Sequence, residues 1–182
     1  SYATFSPVRN WQQIRTTICY NNQPVKIIGS HAGISVGPDG ATHQALEDVA
    51  IMRALPNMVV IVPVDSIEAK KATIAAAKNG KPTYIRLSRS NFPTITTEET
   101  AFEIGKAEIF HEGKDVTIIA CGQMVYQALK AAKKLAEENI SAKVINCHTI
   151  KPLDKKTILR AAEETGAIVT VEEHQVTGGL GS

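Results

Sequence analysis

The sequence predicts an α/β fold made of two consecutive open, mostly parallel sheets with helices on both faces. Short apolar runs alternate with amphipathic stretches along the chain. Several of these runs are rich in β-branched residues, which is typical of buried strands. A polar segment rich in Ser and Thr interrupts the alternation once. Alternating strands and helices favour a parallel sheet, and such an interruption is typical of a linker between domains.

The first half of the chain contains signals for both strands and helices. Apolar runs predict strands at residues 25–29, 59–62 and 83–87. Apolar residues at helical spacing predict helices at residues 8–20, 43–55 and 66–78. We expect Thr42 to cap the second of these helices, and Asp65 or Ser66 to cap the third.

The polar segment around Pro93 divides the chain into two predicted domains, residues 1–90 and 104–182, joined by residues 91–103. In the second domain the same patterns predict strands at 116–121, 142–146 and 167–171, and helices at 125–136 and 154–165. We expect Asp154 to cap the last of these helices. No helix follows the last strand, and a right-handed crossover from Val171 needs more chain. We therefore expect the sequence to be a piece of a larger protein.

The composition argues against several classes of protein. Net charge is +2, from 20 basic and 18 acidic residues, so nothing favours nucleic acid or a membrane surface as a partner. No apolar stretch approaches transmembrane length, and the first residues do not resemble a signal peptide. The three cysteines have no CxxC spacing, which argues against a disulfide scaffold or a zinc site. A reducing, cytoplasmic setting fits this cysteine content.

The loop after the first predicted strand is the first candidate site. It contains His31, Asp39, His43 and Gln44 among several glycines. Ligands of open parallel sheets bind beyond the carboxyl ends of the strands, where this loop is expected. Histidine moves protons near neutral pH, and a carboxylate accepts hydrogen bonds from substrate hydroxyls. An ordinary surface loop with an Asp-Gly turn is an equally good interpretation of the residues alone.

The end of the third predicted strand is the second candidate site. Arg86 and Arg89 lie there, and a fork of arginines binds phosphate through paired hydrogen bonds. Such a fork suits a sugar phosphate. The alternative is an ordinary surface ion pair, which is the more common role of an isolated arginine.

Other polar and aromatic residues give weaker signals. His43 and Glu47 have the i, i+4 spacing of a metal pair, but no third ligand is spaced to join them, so we predict no metal site. We expect His174 at a solvated strand end. Phe5 and Trp11 have rings that can stack on a flat heterocycle, although aromatic residues more often pack in a core or an interface.

Several segments resemble the transketolase family of thiamine-diphosphate enzymes. Residues 30–57, SHAGISVGPDGATHQALEDVAIMRALPN, are similar to the family signature, which runs through a histidine, a GxDG turn and a Thr-His-Gln. Residues 3–15 resemble its aromatic segment near the thiamine pyrimidine, and residues 82–91 resemble its phosphate-binding Ser-Arg strand end. Residues 145–154 and 170–181 are similar to its C-terminal domain. The resemblance implies the rear part of a pyrimidine-binding domain followed by most of a C-terminal domain.

The resemblance also implies roles for individual residues. Phe5, aided by Trp11, would stack on the aminopyrimidine of the cofactor. His43 would lie near the reactive centre and help with proton transfer. His31 and Arg89 would hold the phosphate of a ketose or aldose phosphate. The two histidines are therefore the expected catalytic residues.

The activity that the resemblance implies is transfer of a two-carbon ketol unit between sugar phosphates, with thiamine diphosphate and Mg²⁺ as cofactors. Asp39 would orient a substrate hydroxyl. In the family, the diphosphate and metal site belongs to a separate domain, and the activating glutamate lies upstream of the segments matched by this chain. We therefore expect a homodimer, or a heterotetramer with a subunit that carries the diphosphate-binding domain. We expect this chain to be inactive alone.

Three alternatives stay open at this point. Deoxyxylulose-phosphate synthase has a similar loop with Asp-Gly and Thr-His-Gln, but the ALEDVAIMR and QQIR stretches favour transketolase. The β subunit of a 2-oxo-acid dehydrogenase has a different histidine pattern and needs no arginine for a sugar phosphate. The third alternative is a non-catalytic module that contributes a dimer surface and half a pocket.

Overall fold

A computed structural model describes residues 1–182 and has two four-stranded sheets. The strands are β1 (Lys26–Gly29), β2 (Val59–Ile61), β3 (Thr83–Arg86), β4 (Glu108–His111), β5 (Val116–Ala120), β6 (Ala142–Asn146), β7 (Thr149–Lys151) and β8 (Ile168–Val171). The helices are α1 (Trp11–Gln13), which continues as a π-helical stretch (Ile14–Cys19), α2 (Asp48–Arg53), α3 (Ser66–Lys78), α4 (Met124–Glu137) and α5 (Lys155–Thr165).

The two sheets confirm the predicted fold class. The first has the order β1-β3-β2-β7 and the second the order β4-β6-β5-β8. Within each sheet three strands run parallel, and one edge strand, β7 or β4, runs antiparallel. The two edge strands were not predicted, because each is short and neither forms a long apolar run.

Strand β7 joins the two halves of the chain. It lies in the second half of the sequence, yet it pairs with β2 in the first sheet, where Val60 is aligned with Lys151. Between β3 and β4 there is no helix or strand. The division into residues 1–90, 91–103 and 104–182 stays a prediction. Strand β7 comes from the third of these ranges but pairs with a strand of the first.

Helix α2 is much shorter than the predicted helix at residues 43–55, and the prediction of Thr42 as its cap is wrong. Ala45 forms a β-bridge with Ala32, and its carbonyl accepts a hydrogen bond from the N–H of Gly33. This bridge holds the chain extended before α2, so the helix begins only at Asp48. Thr42 lies in a short 3-10 turn instead.

The other predicted helix caps are confirmed. The Asp65 carboxylate accepts a hydrogen bond from the N–H of Glu68 at the start of α3. Asp154 does the same for Thr157 at the start of α5. A carboxylate in this position satisfies a free N–H and interacts favourably with the positive end of the helix dipole.

The largest hydrophobic core belongs to both sheets. It includes Val60 and Tyr84 of the first sheet and Ile119 and Ile145 of the second. All three cysteines are free and buried. No helix has the length and apolar character needed to cross a membrane. The shared core fixes the two sheets against each other, so the loop after β1 packs against residues that follow β5 and β8.

Candidate active site

The loop after β1 is held in shape by turns that need unusual backbone angles. It contains 3-10 turns at Ile34–Asp39, interrupted by a kink at Gly37 (φ 77°), and at Ala41–His43, and Gly40 before the last turn has φ 75°. His31 has φ 59°, a left-handed conformation that is uncommon for a residue with a side chain. Residues in such conformations cluster at functional sites, where the surrounding structure maintains them.

Four rings from two segments form an aromatic cluster, which consists of Tyr2, Phe5, His31 and His43. Tyr2 stacks on His31 with ring centroids 3.9 Å apart, and on Phe5 at 5.8 Å. The His43 ring meets Phe5 edge to face at 5.3 Å. The structure therefore brings together three residues that the sequence analysis selected. The sequence analysis did not select Tyr2, although this aromatic residue lies only three positions before Phe5.

Trp11 lies outside the aromatic cluster. Its indole Nε1 donates a hydrogen bond to the carbonyl of Ile51 at 2.8 Å, and the ring packs against the hydrophobic core. Trp11 thus ties the first helix to α2. Direct contact between Trp11 and a cofactor stays a prediction.

Asp39 has a free hydrogen-bond acceptor and lies four positions before His43, which belongs to the aromatic cluster. Its Oδ2 is buried and has no hydrogen-bond partner. Buried polar atoms are nearly always paired, so an orphan of this kind marks a position for a ligand or a water molecule. The turn after Asp39 leads to His43, whose N–H donates to the carbonyl of Gly40 at 3.0 Å.

Arg89 lies against the same loop. It is exposed, and its Nη1 stands 3.0 Å from the point that a Cβ on Gly37 would occupy. The next residue, Ser90, donates from Oγ to the carbonyl of Ser35 at 3.1 Å. The segment after β3 and the loop after β1 are therefore in contact at the carboxyl ends of their strands.

Arg86 has a different environment, and the prediction that it forms a fork with Arg89 is wrong. Arg86 is buried, and its Nε donates to Asp48 Oδ2 at 2.9 Å, which also accepts from the Tyr84 hydroxyl at 2.6 Å. Burial alone would lower the pKa of Arg86, but Asp48 and Tyr84 outweigh burial and raise that pKa. Arg86 is therefore a permanently charged structural residue.

The segment after β8 reaches the loop, so the expectation that His174 lies at a solvated strand end is wrong. His174 is half-buried, and its Nε2 accepts a hydrogen bond from the N–H of Ala50 at 3.3 Å. Glu173 Oε2 accepts from Ser35 Oγ at 3.1 Å. Burial raises the pKa of Glu173, against the opposing effect of its hydrogen bonds.

The spacing of His43 and Glu47 does not produce a metal pair on one helix. Both residues precede α2, and Glu47 Oε2 accepts a hydrogen bond from the N–H of Leu46 at 2.8 Å. No group of three His, Cys, Asp or Glu side chains in the chain has a geometry that could hold a metal ion.

Two family models match the chain and together span most of it. The model of the transketolase pyrimidine-binding domain matches residues 1–94, and that of the transketolase C-terminal domain matches residues 105–182. The chain belongs to the transketolase family. This membership confirms the resemblance.

Individual transketolase subunits are similar along the whole chain. A 6-deoxy-6-sulfo-D-fructose transketolase subunit from a Clostridium species is 44% identical over 100% of this chain and 56% of its own length. An apulose-4-phosphate transketolase subunit from Phocaeicola vulgatus is 39% identical over 99% of this chain and 58% of its own length. A solved structure described as "Split gene transketolase, inactive beta4 tetramer" is 45% identical with a TM-score of 0.92, over 98% of this chain and 58% of its own. The chain thus spans a little over half the length of these transketolases.

Proposed function

We propose that this chain is part of a thiamine-diphosphate-dependent transketolase, which transfers a two-carbon ketol unit from a ketose phosphate to an aldose phosphate. The observation that carries the proposal is the aromatic cluster beside a loop that contains the unpaired Asp39 oxygen and that Arg89 contacts from the segment after β3. Flat rings, a free acceptor and a guanidinium are the groups needed to bind a heterocycle, a hydroxyl and a phosphate. The family of the chain favours this reaction over the alternatives.

The aromatic cluster is the proposed contact with the cofactor. Phe5 packs on the aminopyrimidine, and His43 lies against the edge of Phe5. Trp11 supports this arrangement indirectly, because it anchors the segment that follows Phe5. When bound, thiamine diphosphate supplies the chemistry that breaks and forms a bond between carbons beside a carbonyl. The residues of this chain orient the sugar and move protons.

The loop after β1 is the proposed sugar site. Asp39 accepts a hydrogen bond from a substrate hydroxyl through its free Oδ2. Arg89 and His31 bind the phosphate, and the exposed guanidinium of Arg89 suits an anionic group. His31 and His43 serve as proton donors and acceptors, because an imidazole ring has two nitrogens that can carry or accept a proton.

The complete active site needs a second contribution. We assign the diphosphate and its Mg²⁺ to a diphosphate-binding domain on another polypeptide, in a homodimer or a heterotetramer. Two similar proteins are named as transketolase subunits, and a similar structure is described as a tetramer, which supports such an assembly. A cytoplasmic location is part of the proposal and fits the three free cysteines.

A ketol-transfer assay tests the proposal. The full-length protein that contains this chain is mixed with its diphosphate-binding partner, thiamine diphosphate and Mg²⁺, and supplied with a ketose phosphate and an aldose phosphate. We expect transfer that depends on the cofactor and that, in the heterotetramer, disappears when the partner is omitted. Cofactor binding by the assembled protein without transfer between any pair of sugar phosphates would contradict the proposal and favour a non-catalytic module.

A further inference from the structure

Three polar side chains from distant parts of the sequence meet beside the proposed sugar site, and we call them the brace: Ser35, Gln123 and Glu173. Ser35 Oγ donates to Glu173 Oε2 at 3.1 Å. Gln123 Nε2 donates to Ser35 Oγ at 2.8 Å and also to Glu173 Oε2. Ser35 belongs to the loop after β1, Gln123 precedes α4, and Glu173 follows β8. The brace therefore connects the sugar-binding loop to the second sheet.

Glu173 is held at its side chain and at its backbone. The loop passes so close that a Cβ on Gly33 would stand 2.6 Å from Glu173 Oε2. On the other side, Arg86 Nη2 donates to the backbone carbonyl of Glu173 at 2.7 Å, and Arg86 itself is fixed by its ion pair with Asp48. Gln123 is only 6% exposed. The buried polar groups of this region thus determine where the carboxylate lies.

Ser35 transmits this position to the sugar site. It lies in the same loop as Asp39, four residues earlier and across a kink at Gly37, and Asp39 Oδ2 has no hydrogen-bond partner of its own. The carbonyl of Ser35 also accepts the hydrogen bond from Ser90, the neighbour of Arg89. A shift of Ser35 would therefore move both groups that are assigned to the sugar phosphate.

We propose that Glu173 is a positioning residue for sugar binding, which acts through Ser35 to fix Asp39. The inference rests on the proposed function for its link to substrate. The carboxylate suits this role because one anionic group accepts hydrogen bonds from both Ser35 and Gln123. A glutamine in its place keeps the shape and one acceptor oxygen but carries no charge, so its hydrogen bonds with Ser35 and Gln123 are weaker.

The test substitutes Glu173→Gln in the full-length protein and measures both kinetics and backbone protection. In the assembled enzyme we expect the KM for the ketose phosphate to rise about tenfold, while kcat changes by less than about twofold. A tenfold change corresponds to about 1.4 kcal/mol, within the range for one hydrogen bond to a charged group. Amide hydrogen exchange in residues 34–40 should become faster, since the brace no longer holds them.

The neighbouring carboxylate provides a matched control. Glu172 accepts hydrogen bonds from the N–H groups of Leu180 and Gly181, not from the sugar-binding loop. Glu172→Gln should leave both the KM and the exchange of residues 34–40 unchanged.

A double-mutant cycle with Ser35→Ala separates positioning from general destabilisation. If the two side chains act as one unit, the combined effect of Ser35→Ala and Glu173→Gln on KM is smaller than the sum of the single effects. Additive effects would overturn the proposal. Should Glu173→Gln fail to fold, Ser35→Ala alone tests the same hydrogen bond, with the same expected rise in KM.

The two readouts distinguish the failure of this inference from the failure of the proposed function. A wild-type enzyme that transfers ketol units, with an unchanged KM in Glu173→Gln, would overturn the positioning role alone. A wild-type assembly without transfer, in which Glu173→Gln still accelerates exchange in residues 34–40, would overturn the assigned function and leave the brace in place. If amide exchange in residues 34–40 is unchanged in both Glu173→Gln and Ser35→Ala, the brace does not hold the loop.

Discussion

Arg86 and Arg89 are three residues apart and have opposite environments. Arg86 is 7% exposed and paired with Asp48, whereas Arg89 is exposed at the carboxyl end of the sheet. Arg86 is the last residue of β3, whereas Arg89 lies beyond the end of the strand. The same residue type therefore has a structural role at one position and a proposed substrate role at the other.

The buried ion pair predicts a large loss of stability when Arg86 is removed. Arg86→Ala leaves the Asp48 carboxylate buried without its charge partner, which typically costs about 3–5 kcal/mol. Urea unfolding of the protein measures the loss. The exposed pair between Lys70 and Glu98 serves as a control, and Lys70→Ala should cost less than about 1 kcal/mol. Similar small losses in both variants would contradict the structural role of Arg86.

At the scale of residues, the sequence predicts one side of the candidate site and misses the other. His31, Asp39 and His43 are close in sequence and follow a strand, so their proximity is a local property. Glu173 reaches the same loop, and His174 reaches helix α2, from more than a hundred positions away in the chain. Such contacts depend on the packing of the two sheets, for which no local pattern in the sequence is a signal.

At the scale of elements, helix α3 is joined to strand β6 by a buried acid. Glu68 is 1% exposed, and it accepts hydrogen bonds from the N–H of Val64 at 2.6 Å and from Asn146 Nδ2 at 2.7 Å. Burial raises the pKa of Glu68 to about 7, the nearby Asp65 and Glu108 add to the rise, and the two hydrogen bonds oppose it.

The raised pKa of Glu68 predicts a pH dependence of stability. The folded state binds the proton more tightly than the unfolded state, so the contribution is complete below the ordinary glutamate pKa and is lost as pH rises through about 7. The free energy of unfolding of the wild type should therefore fall by about 3 kcal/mol relative to Glu68→Gln between about pH 4 and pH 8.

Urea unfolding across this pH range measures the difference. Glu137 lies on the exposed face of α4, and Glu137→Gln should follow the wild-type pH profile. Parallel profiles for the wild type and Glu68→Gln would show that Glu68 titrates as it does in the unfolded chain.

The sequence predicts strands and helices best where a single pattern, such as a run of apolar residues, determines the structure. Strand β2 is buried along its whole length, and an apolar run locates it well. Helix α2 was predicted too long, because its apolar residues keep helical spacing through Ala45, which the bridge to Ala32 holds in an extended conformation. At Ala45 this tertiary pairing overrides the local preference for a helix.

At the scale of the whole molecule, the shared core and strand β7 predict that both halves unfold together. Trp11 is the only tryptophan and lies in the first half, so its fluorescence reports on that half, while circular dichroism reports on both. We expect the two signals to change at the same urea concentration. Fluorescence and circular dichroism midpoints that differ clearly would indicate two independent domains.

A substitution in the second sheet extends this prediction. Ile145 is fully buried in the shared core. Ile145→Ala should lower stability by about 2–5 kcal/mol, and the Trp11 signal should shift with the circular dichroism signal. If the urea midpoint of the Trp11 fluorescence stays at its wild-type value, the two halves of the chain do not unfold as one cooperative unit.

The central claim, that this chain binds the sugar phosphate, is tested most directly by comparing substrates in Arg89→Ala. In the assembled enzyme, the KM of a phosphorylated ketose should rise about 10- to 100-fold, as expected for a lost hydrogen bond to a charged group, while the KM of its non-phosphorylated analogue stays nearly unchanged. Arg160→Ala removes an exposed arginine of α5 and should change neither value. Equal increases for both sugars, or no increase for either, would contradict the claim.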